Sequence, residues 1–329
     1  MRWWNVAFLA VGLIGLGFFA ASVGPERLFG ELDRLGWTVA LVAAVNGVTL
    51  LVDSAVLSVC LGAPLRLASY ARILRAQVAG HAINTVTPTG NLGEVTKYTI
   101  LTQTWSKQEV GAALLSANLV GLGANVVLLV LAPLAAPLML GLTGPVARVF
   151  YVAAAVSAAL GGVLAVVVVR GPGTWPFHVV RRLGVSEAKV ERARTAWREV
   201  ADTARARLTG RRRAAAVVLA LVSRGLSVAE IAVILALVGV DAHPLVPFLF
   251  VANGQIISWV TSFVPMQAGT GEGGGYALFR SLGLDPTQGV VVELVRKCRI
   301  VVWLIIGLAL LGTATLSGRK RRSAPDRAS

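Results

Sequence analysis

The chain has 329 residues, of which 56% are hydrophobic and 14% charged, with a mean hydropathy of +0.73. Soluble domains carry about 25% charged residues, so this composition excludes an ordinary soluble fold and predicts a polytopic all-α membrane protein. The formal charge of +15 gathers in flanks and one loop between apolar runs, which excludes a nucleic-acid surface and fits membrane topology.

The first apolar run, 5–23, is longer than the hydrophobic part of a signal peptide, and no soluble mature domain follows it, so it reads as the first membrane helix. Further runs of spanning length cover 37–61, 109–140, 149–169, 214–240 and 286–317. Residues 24–36 hold Glu26, Glu31 and Asp33 against Arg27 and Arg34, whereas 62–76 hold Arg66, Arg72 and Arg75 with no acid. The positive-inside rule then places the N-terminus in the cytoplasm. The stretch 170–213 has twelve Arg or Lys against four acids and is expected to be a cytoplasmic loop. Within it, 186–208 lacks Gly and Pro and is expected to form an amphipathic helix on the inner leaflet, with Val190 and Trp197 on one side. The tail from Arg319 to Arg322 also belongs inside, so the expected locale is a bacterial inner membrane with both termini cytoplasmic. One transmembrane domain, 1–318, and a basic tail, 319–329, are expected.

Two segments do not read as simple spans. The first, Asn84-Thr-Val-Thr-Pro-Thr-Gly-Asn-Leu-Gly-Glu94, precedes a helix opened by Ser106-Lys-Gln-Glu109. The second, Thr261-Ser-Phe-Val-Pro-Met-Gln-Ala-Gly-Thr-Gly-Glu272, precedes one opened by Asp285-Pro-Thr-Gln288. Pro88 and Glu94 are six positions apart, Pro265 and Glu272 seven, and both following helices begin with a capping residue and Glu or Gln three further on. The order of parts repeats in the halves 37–140 and 214–317, and the two copies enter from opposite sides, as in an inverted-topology repeat. Each segment is therefore expected to be a re-entrant hairpin. Pro88 and Pro265 would end the entering helix, and glycines 90, 93, 269, 271 and 273 would let the chain turn. Backbone freed at such a tip has to be buried in protein or line a wet cavity, because lipid offers it no partner.

Ionisable residues recur where lipid should be. Glu94 and Lys97 share a helix face and can pair, although Asn91 to Glu94 also reads as a capping box that only satisfies backbone donors. Glu272 takes the matching place in the second copy. Glu293, Arg296, Lys297 and Arg299 lie eight to fourteen residues beyond Asp285, roughly 10–20 Å deep at ~1.5 Å per residue. Three cations beside one acid there imply a cavity or partners, or an ion-pair network that locks helices together. Asp53, Arg224 and Glu230 are further charges inside spans, equally readable as structural. Gly269 to Gly274 matches the spacing of a dinucleotide fingerprint, but no strand precedes it. His81, His178 and His243 lack metal-ligand spacing, and Cys60 and Cys298 show no disulfide or zinc pattern, so no metal or cofactor is expected.

With Asn84, Pro88, Gly90, Gly93 and Glu94 in one motif, Pro265, Gly269, Gly271 and Glu272 in the other, and a cationic last helix, roughly 5–317 resembles the flippase-like family named for the transmembrane region of lysyl-phosphatidylglycerol synthase. The resemblance implies a membrane region that moves a lipid between leaflets, the soluble aminoacyltransferase being a separate domain that is not expected in the tail after Arg322. The family pattern carries an arginine between the motif proline and its Gly-Glu, and another before the second Glu. Here Thr89 to Leu92 and Thr270 to Gly271 occupy those places. Lys97 would stand in for one, and phosphate binding shifts to Arg296 and Arg299, with Glu293 pairing Arg296 or Lys297 and with Glu94 and Glu272 modulating the site by proton or ion coupling. The expected partners are anionic membrane lipids and a lipid or cell-envelope biosynthesis enzyme. The rival reading is an intramembrane enzyme on a lipid head group with Glu94 or Glu272 as general base; no nucleophile and base share a motif. A third is a non-transporting partner of an envelope enzyme.

Overall fold

A computed structural model describes residues 36–63, 66–87, 92–170, 210–262, 264–267 and 269–322, together with isolated positions between 191 and 203. The expected first span at 5–23, the amphipathic helix at 186–208, the motif residues Pro88, Gly90 and Asn91, and the final seven residues lie wholly or mostly outside that set.

The described residues form nine α-helices and one 3-10 turn, with no strand among them. They are α1 (Trp37–Leu61), α2 (Leu67–Val86), α3 (Leu92–Leu101), α4 (Lys107–Met139), α5 (Gly144–Arg170), α6 (Gly210–Val238), α7 (Val246–Val260), α8 (Thr270–Ser281) and α9 (Pro286–Arg322), the 3-10 turn being Pro265–Gln267. The expected spans fall on α1, α4, α5, α6 and α9. Four of these, α1, α4, α5 and α6, are long and apolar enough to cross a membrane. Glu293, Arg296, Lys297 and Arg299 make α9 far less apolar, yet its 37 residues give ample length.

Local chemistry sets the helix ends. Ser106 caps α4: its hydroxyl accepts from Glu109 N, and the Glu109 carboxylate accepts from Ser106 N at 3.0 Å. Asp285 Oδ1 accepts from Thr287 N at 2.9 Å and opens α9. Gly62, left-handed at φ 64°, closes α1.

Two pairs of helices, α2 with α3 and α7 with α8, form antiparallel hairpins. In the first, Gly93 N donates to Asn84 Oδ1 at 2.6 Å, and Gly80 faces Lys97 four residues further along each leg. Gly80 and Gly93 bring the two backbones into direct contact, because a Cβ on either would overlap the other's carbonyl oxygen. In the second, Thr261 meets Thr270 at 3.2 Å, Ile257 lies on Gly274, and Asn253 Nδ2 donates to Gly274 O at 3.0 Å. Extending the first register pairs Leu101 with Ala76, so about ten residues of α2 run beside α3. The 10 residues of α3 and 12 of α8 make legs of roughly 15–18 Å, about half the hydrocarbon thickness. The 15 residues of α7 pack antiparallel to α8 and form the first leg of the second hairpin.

The turn chemistry differs from expectation in two respects. Gly93, Gly271 and Gly273 lie inside α3 and α8 rather than in the turns; Gly93 permits close packing, whereas a Cβ on Gly273 would meet nothing within 4 Å. The second turn is made by Met266, Gln267 and Gly269, at φ 53°, 52° and 77°. Nor does Pro265 end the entering helix. α7 stops at Val260, where Thr261 N caps onto Ile257 O, and Pro265 starts the 3-10 turn. Two non-glycine residues in left-handed conformation are uncommon and cost energy that packing must offset. Met266 supplies packing, being buried in one apolar core with Val56, Leu57, Ile83, Val86 and Leu304. The second hairpin's turn thereby sits on α2 of the first.

Candidate functional site: a buried ion-pair core

α9 runs between the hairpins and supplies the cations. Trp303 Nε1 donates to Ala43 O at 3.0 Å and fixes α9 on α1, while Gly307 rests on Val78 and Ala82 of α2. Gly275 and Gly289 let α8 and α9 touch through their backbones. The helical repeat then sends Glu293, Arg296, Lys297 and Arg299 toward different neighbours.

Each cation meets a carboxylate. Arg296 NH1 donates to Glu293 Oε1 at 2.6 Å, one turn away on α9. Lys297 Nζ binds Glu272 Oε1 of α8, with the Gln267 carbonyl at 3.4 Å. Arg299 NH1 donates to Glu230 Oε1 of α6 at 2.6 Å, and Asn46 Nδ2 of α1 donates to the other Glu230 oxygen at 3.0 Å. The local excess of cations on α9 is thus balanced in space by Glu272 and Glu230, 25 and 69 positions away in the chain. These three carboxylates and three cations sum to zero formal charge, which is what a low-dielectric interior requires of buried ions. Asp53, by contrast, takes none of the α9 cations: its Oδ1 accepts from Ser223 at 2.6 Å and stands 3.9 Å from Arg224 NH2.

The pairs differ in exposure. Arg299 and Glu230 are deep, with side chains 11% and 3% accessible. The Arg296 side chain remains 23% accessible, with Phe250 of α7 beneath its guanidinium at 5.8 Å and Gly254 leaving room beside it. Glu272 is 19% accessible, yet its Oε2 is buried and finds no hydrogen-bond partner among the described residues. Asn46 Oδ1 and Arg299 Nε are likewise unmatched there.

The first hairpin carries its own pair. Lys97 Nζ donates to Glu94 Oε1 at 2.8 Å, Asn84 Nδ2 approaches the same oxygen at 3.5 Å, and Asn118 Nδ2 of α4 donates to Glu94 Oε2 at 3.2 Å. Glu94 therefore serves side chains from three helices, in addition to its place in the first turn of α3. Asn84 links the two legs: its oxygen accepts from Gly93 N, the role the sequence suggested for a cap on Asn91. His81, half-buried on α2, lies within electrostatic reach of both Lys97 and Arg299.

Of the sequence-derived candidates, Asn84, Gly93, Glu94 and Lys97 come together in the first hairpin. Gly271, Glu272, Glu293 and Arg296 come together in the second: a Cβ on Gly271 would stand 3.4 Å from Glu293 Oε2. Arg299 faces α6 and α1 instead, and Pro265 and Gly269 shape the turn. Asn46, Asn118, Gln267 and Phe250 were missed. The asparagines had a readable signal, a bare amide inside an otherwise apolar span; Gln267 takes part through its backbone and Phe250 through a ring face, neither of which a residue type reveals.

Apolar helices of spanning length around a closed set of ion pairs define a multi-pass membrane protein. The chain belongs to the family described as the lysylphosphatidylglycerol synthase TM region, whose model matches residues 5–309. No curated protein and no solved structure matches it.

Proposed function

We propose that this protein binds the anionic or phosphate-bearing head group of a membrane lipid in the middle of the bilayer and helps it change leaflet. The observation that carries the reading is the neutral ion-pair core between the hairpins, in which Arg296 and Glu272 stay partly accessible while Glu230 and Arg299 are shut in. Membership in a family described as the membrane region of a lipid synthase supports a lipid as the ligand.

A charge-balanced core has no spare cation, so an arriving phosphate must exchange with a carboxylate already present. Arg296 suits that exchange: its partner Glu293 is on its own helix, and the guanidinium retains unused donors in a planar fork that matches a phosphate. Proton uptake by Glu272 would release Lys297 for a second contact, which couples binding to a proton or an ion. The half-depth legs suit re-entrant hairpins entering from opposite leaflets, with the loop before α2, the basic loop and both termini in the cytoplasm, and the loop at Asp241 outside. The matching positions of Glu94 and Glu272 make the two halves an inverted repeat, and rocking one half against the other would open the core to each leaflet in turn. Anionic lipids gathered by the basic 170–213 segment would feed it from the inner face, and an enzyme of lipid or envelope synthesis would supply them.

The test is reconstitution into liposomes with a fluorescent anionic lipid, reading leaflet exchange by external quenching. Wild type is expected to exchange lipid above protein-free vesicles, and Arg296→Ala to lower the rate by roughly 10–100-fold, as expected for a lost charge-assisted contact. Wild-type vesicles no faster than empty ones refute the proposal, and chemical alteration of the lipid points to an enzyme instead.

A further inference from the structure

A second set of polar residues lies away from the α9 core, where α4 meets α6 and α1. Asn118 and Asn125 are seven positions apart on α4, so they share a face about 10 Å from one another. Asn118 is exposed although it lies eleven residues into an apolar span, and its amide donates to Glu94 at 3.2 Å. Asn125 Oδ1 accepts from Arg224 NH1 at 3.2 Å, leaving its own amide hydrogens free to donate. Arg224 NH2 also donates to Ser223 Oγ at 3.2 Å. The nearest carboxylate, Asp53, is 3.9 Å away and already holds the Ser223 hydroxyl, so this ion pair is loose beside the 2.6 Å pairs of Arg296 and Arg299.

Arg224 stands fourteen residues from either end of α6, about 20 Å along the helix, with a quarter of its side chain accessible. A guanidinium there is costly unless an anion or water reaches it. Between the asparagines lie Leu122 and Gly121, and a Cβ added to Gly121 would meet nothing within 4 Å. Apolar side chains flank this open strip: Leu122 on α4 and the exposed Leu221 and Val217, one and two turns from Arg224 on the same side of α6.

We propose that this face of α4 and α6 is a second lipid-binding site, in which Arg224 holds the phosphodiester of an anionic phospholipid, Asn118 and Asn125 donate to its oxygens, and the flanking apolar side chains carry its acyl chains. It rests on the reading that the protein handles lipid head groups, and adds a lateral track leading along α4 from Arg224 to Glu94 and the first hairpin. Bilayer-depth placement and apolar flanks select a phospholipid over free phosphate, which has no favourable route to such a depth.

The test uses the full chain in phosphatidylcholine vesicles containing a small fraction of phosphatidylglycerol with a photoreactive head group, the label being mapped by peptide mass spectrometry. Label is expected on α4 between Asn118 and Asn125, falling about tenfold in Arg224→Gln, the loss expected for one charge-assisted contact. Gly121→Leu fills the open strip from a position where an added Cβ meets nothing within 4 Å, so it is expected to lose label equally at a melting temperature close to wild type, which keeps the test valid should Arg224→Gln misfold. Labelling that survives Gly121→Leu, that a neutral diacylglycerol with the same photoreactive group reproduces, or that excess inorganic phosphate removes overturns the assignment. Leaflet exchange is read in the same vesicles: labelling without exchange refutes the proposed function and leaves this site standing, whereas exchange without labelling refutes this site alone.

Discussion

At the scale of single residues, burial separates two arginines that the sequence places on equal terms. Arg299 closes on Glu230 and Asn46 in the interior, so Arg299→Ala strands a buried carboxylate and is expected to cost about 3–5 kcal/mol, read as a fall in melting temperature in detergent. The double variant Arg299→Met/Glu230→Gln removes both charges and should recover most of that loss. Arg296→Ala is expected to cost less than Arg299→Ala, because the Arg296 side chain is 23% accessible and its removal lets water reach the Glu293 carboxylate. A larger stability loss for Arg296 than for Arg299 would reverse the assignment of the inner pair as structural and the outer as ligand-accessible. The long-range partners explain why the sequence left this open. Glu293 and Arg296 are one turn apart and legible as a pair, but nothing local in Glu230 says that it meets a guanidinium 69 positions later.

At the scale of elements, the hairpins depend on close backbone contact. A Cβ on Gly93 would overlap the Gly80 carbonyl and the Asn84 amide, so Gly93→Ala must splay the two legs and is expected to cost about 1–3 kcal/mol in thermal melts. Gly225→Ala, on an exposed face where an added Cβ meets nothing within 4 Å, should be neutral or stabilising. Equal effects at the two sites would remove Gly80 and Gly93 as the packing point. Helix extents were largely legible, since apolar length and the Ser106 and Asp285 caps are local properties. The second turn was less so, because Met266 and Gln267 are poor residues for left-handed backbone and are held there by the core Met266 fills.

At the scale of the whole molecule, the hairpins and the ion pairs require one another. Lys297 of α9 is held by Glu272 and the Gln267 carbonyl of the second hairpin, and buried charges need walls that are protein rather than lipid. The proposed topology makes a direct expectation for single-cysteine labelling in intact cells: Asp241→Cys should react with an impermeant reagent from outside, and Ala63→Cys only after the membrane is opened. The reverse pattern would invert the molecule and the direction from which each hairpin enters. That the chain carries two helical hairpins was visible in the order of Pro, Gly and Glu, whereas the meeting of the second turn with α2 joins residues far apart in the chain and has no local signal.

The central claim is that the ion pairs serve exchange with a lipid head group and do not merely lock helices, and leaflet exchange by the double variant Glu272→Gln/Lys297→Met measures this most directly. Replacing both members of a buried pair commonly leaves stability nearly unchanged, so a lock would survive the substitution. The account predicts a folded protein, with a melting temperature close to wild type, whose exchange falls to that of protein-free vesicles; exchange at the wild-type rate would contradict it.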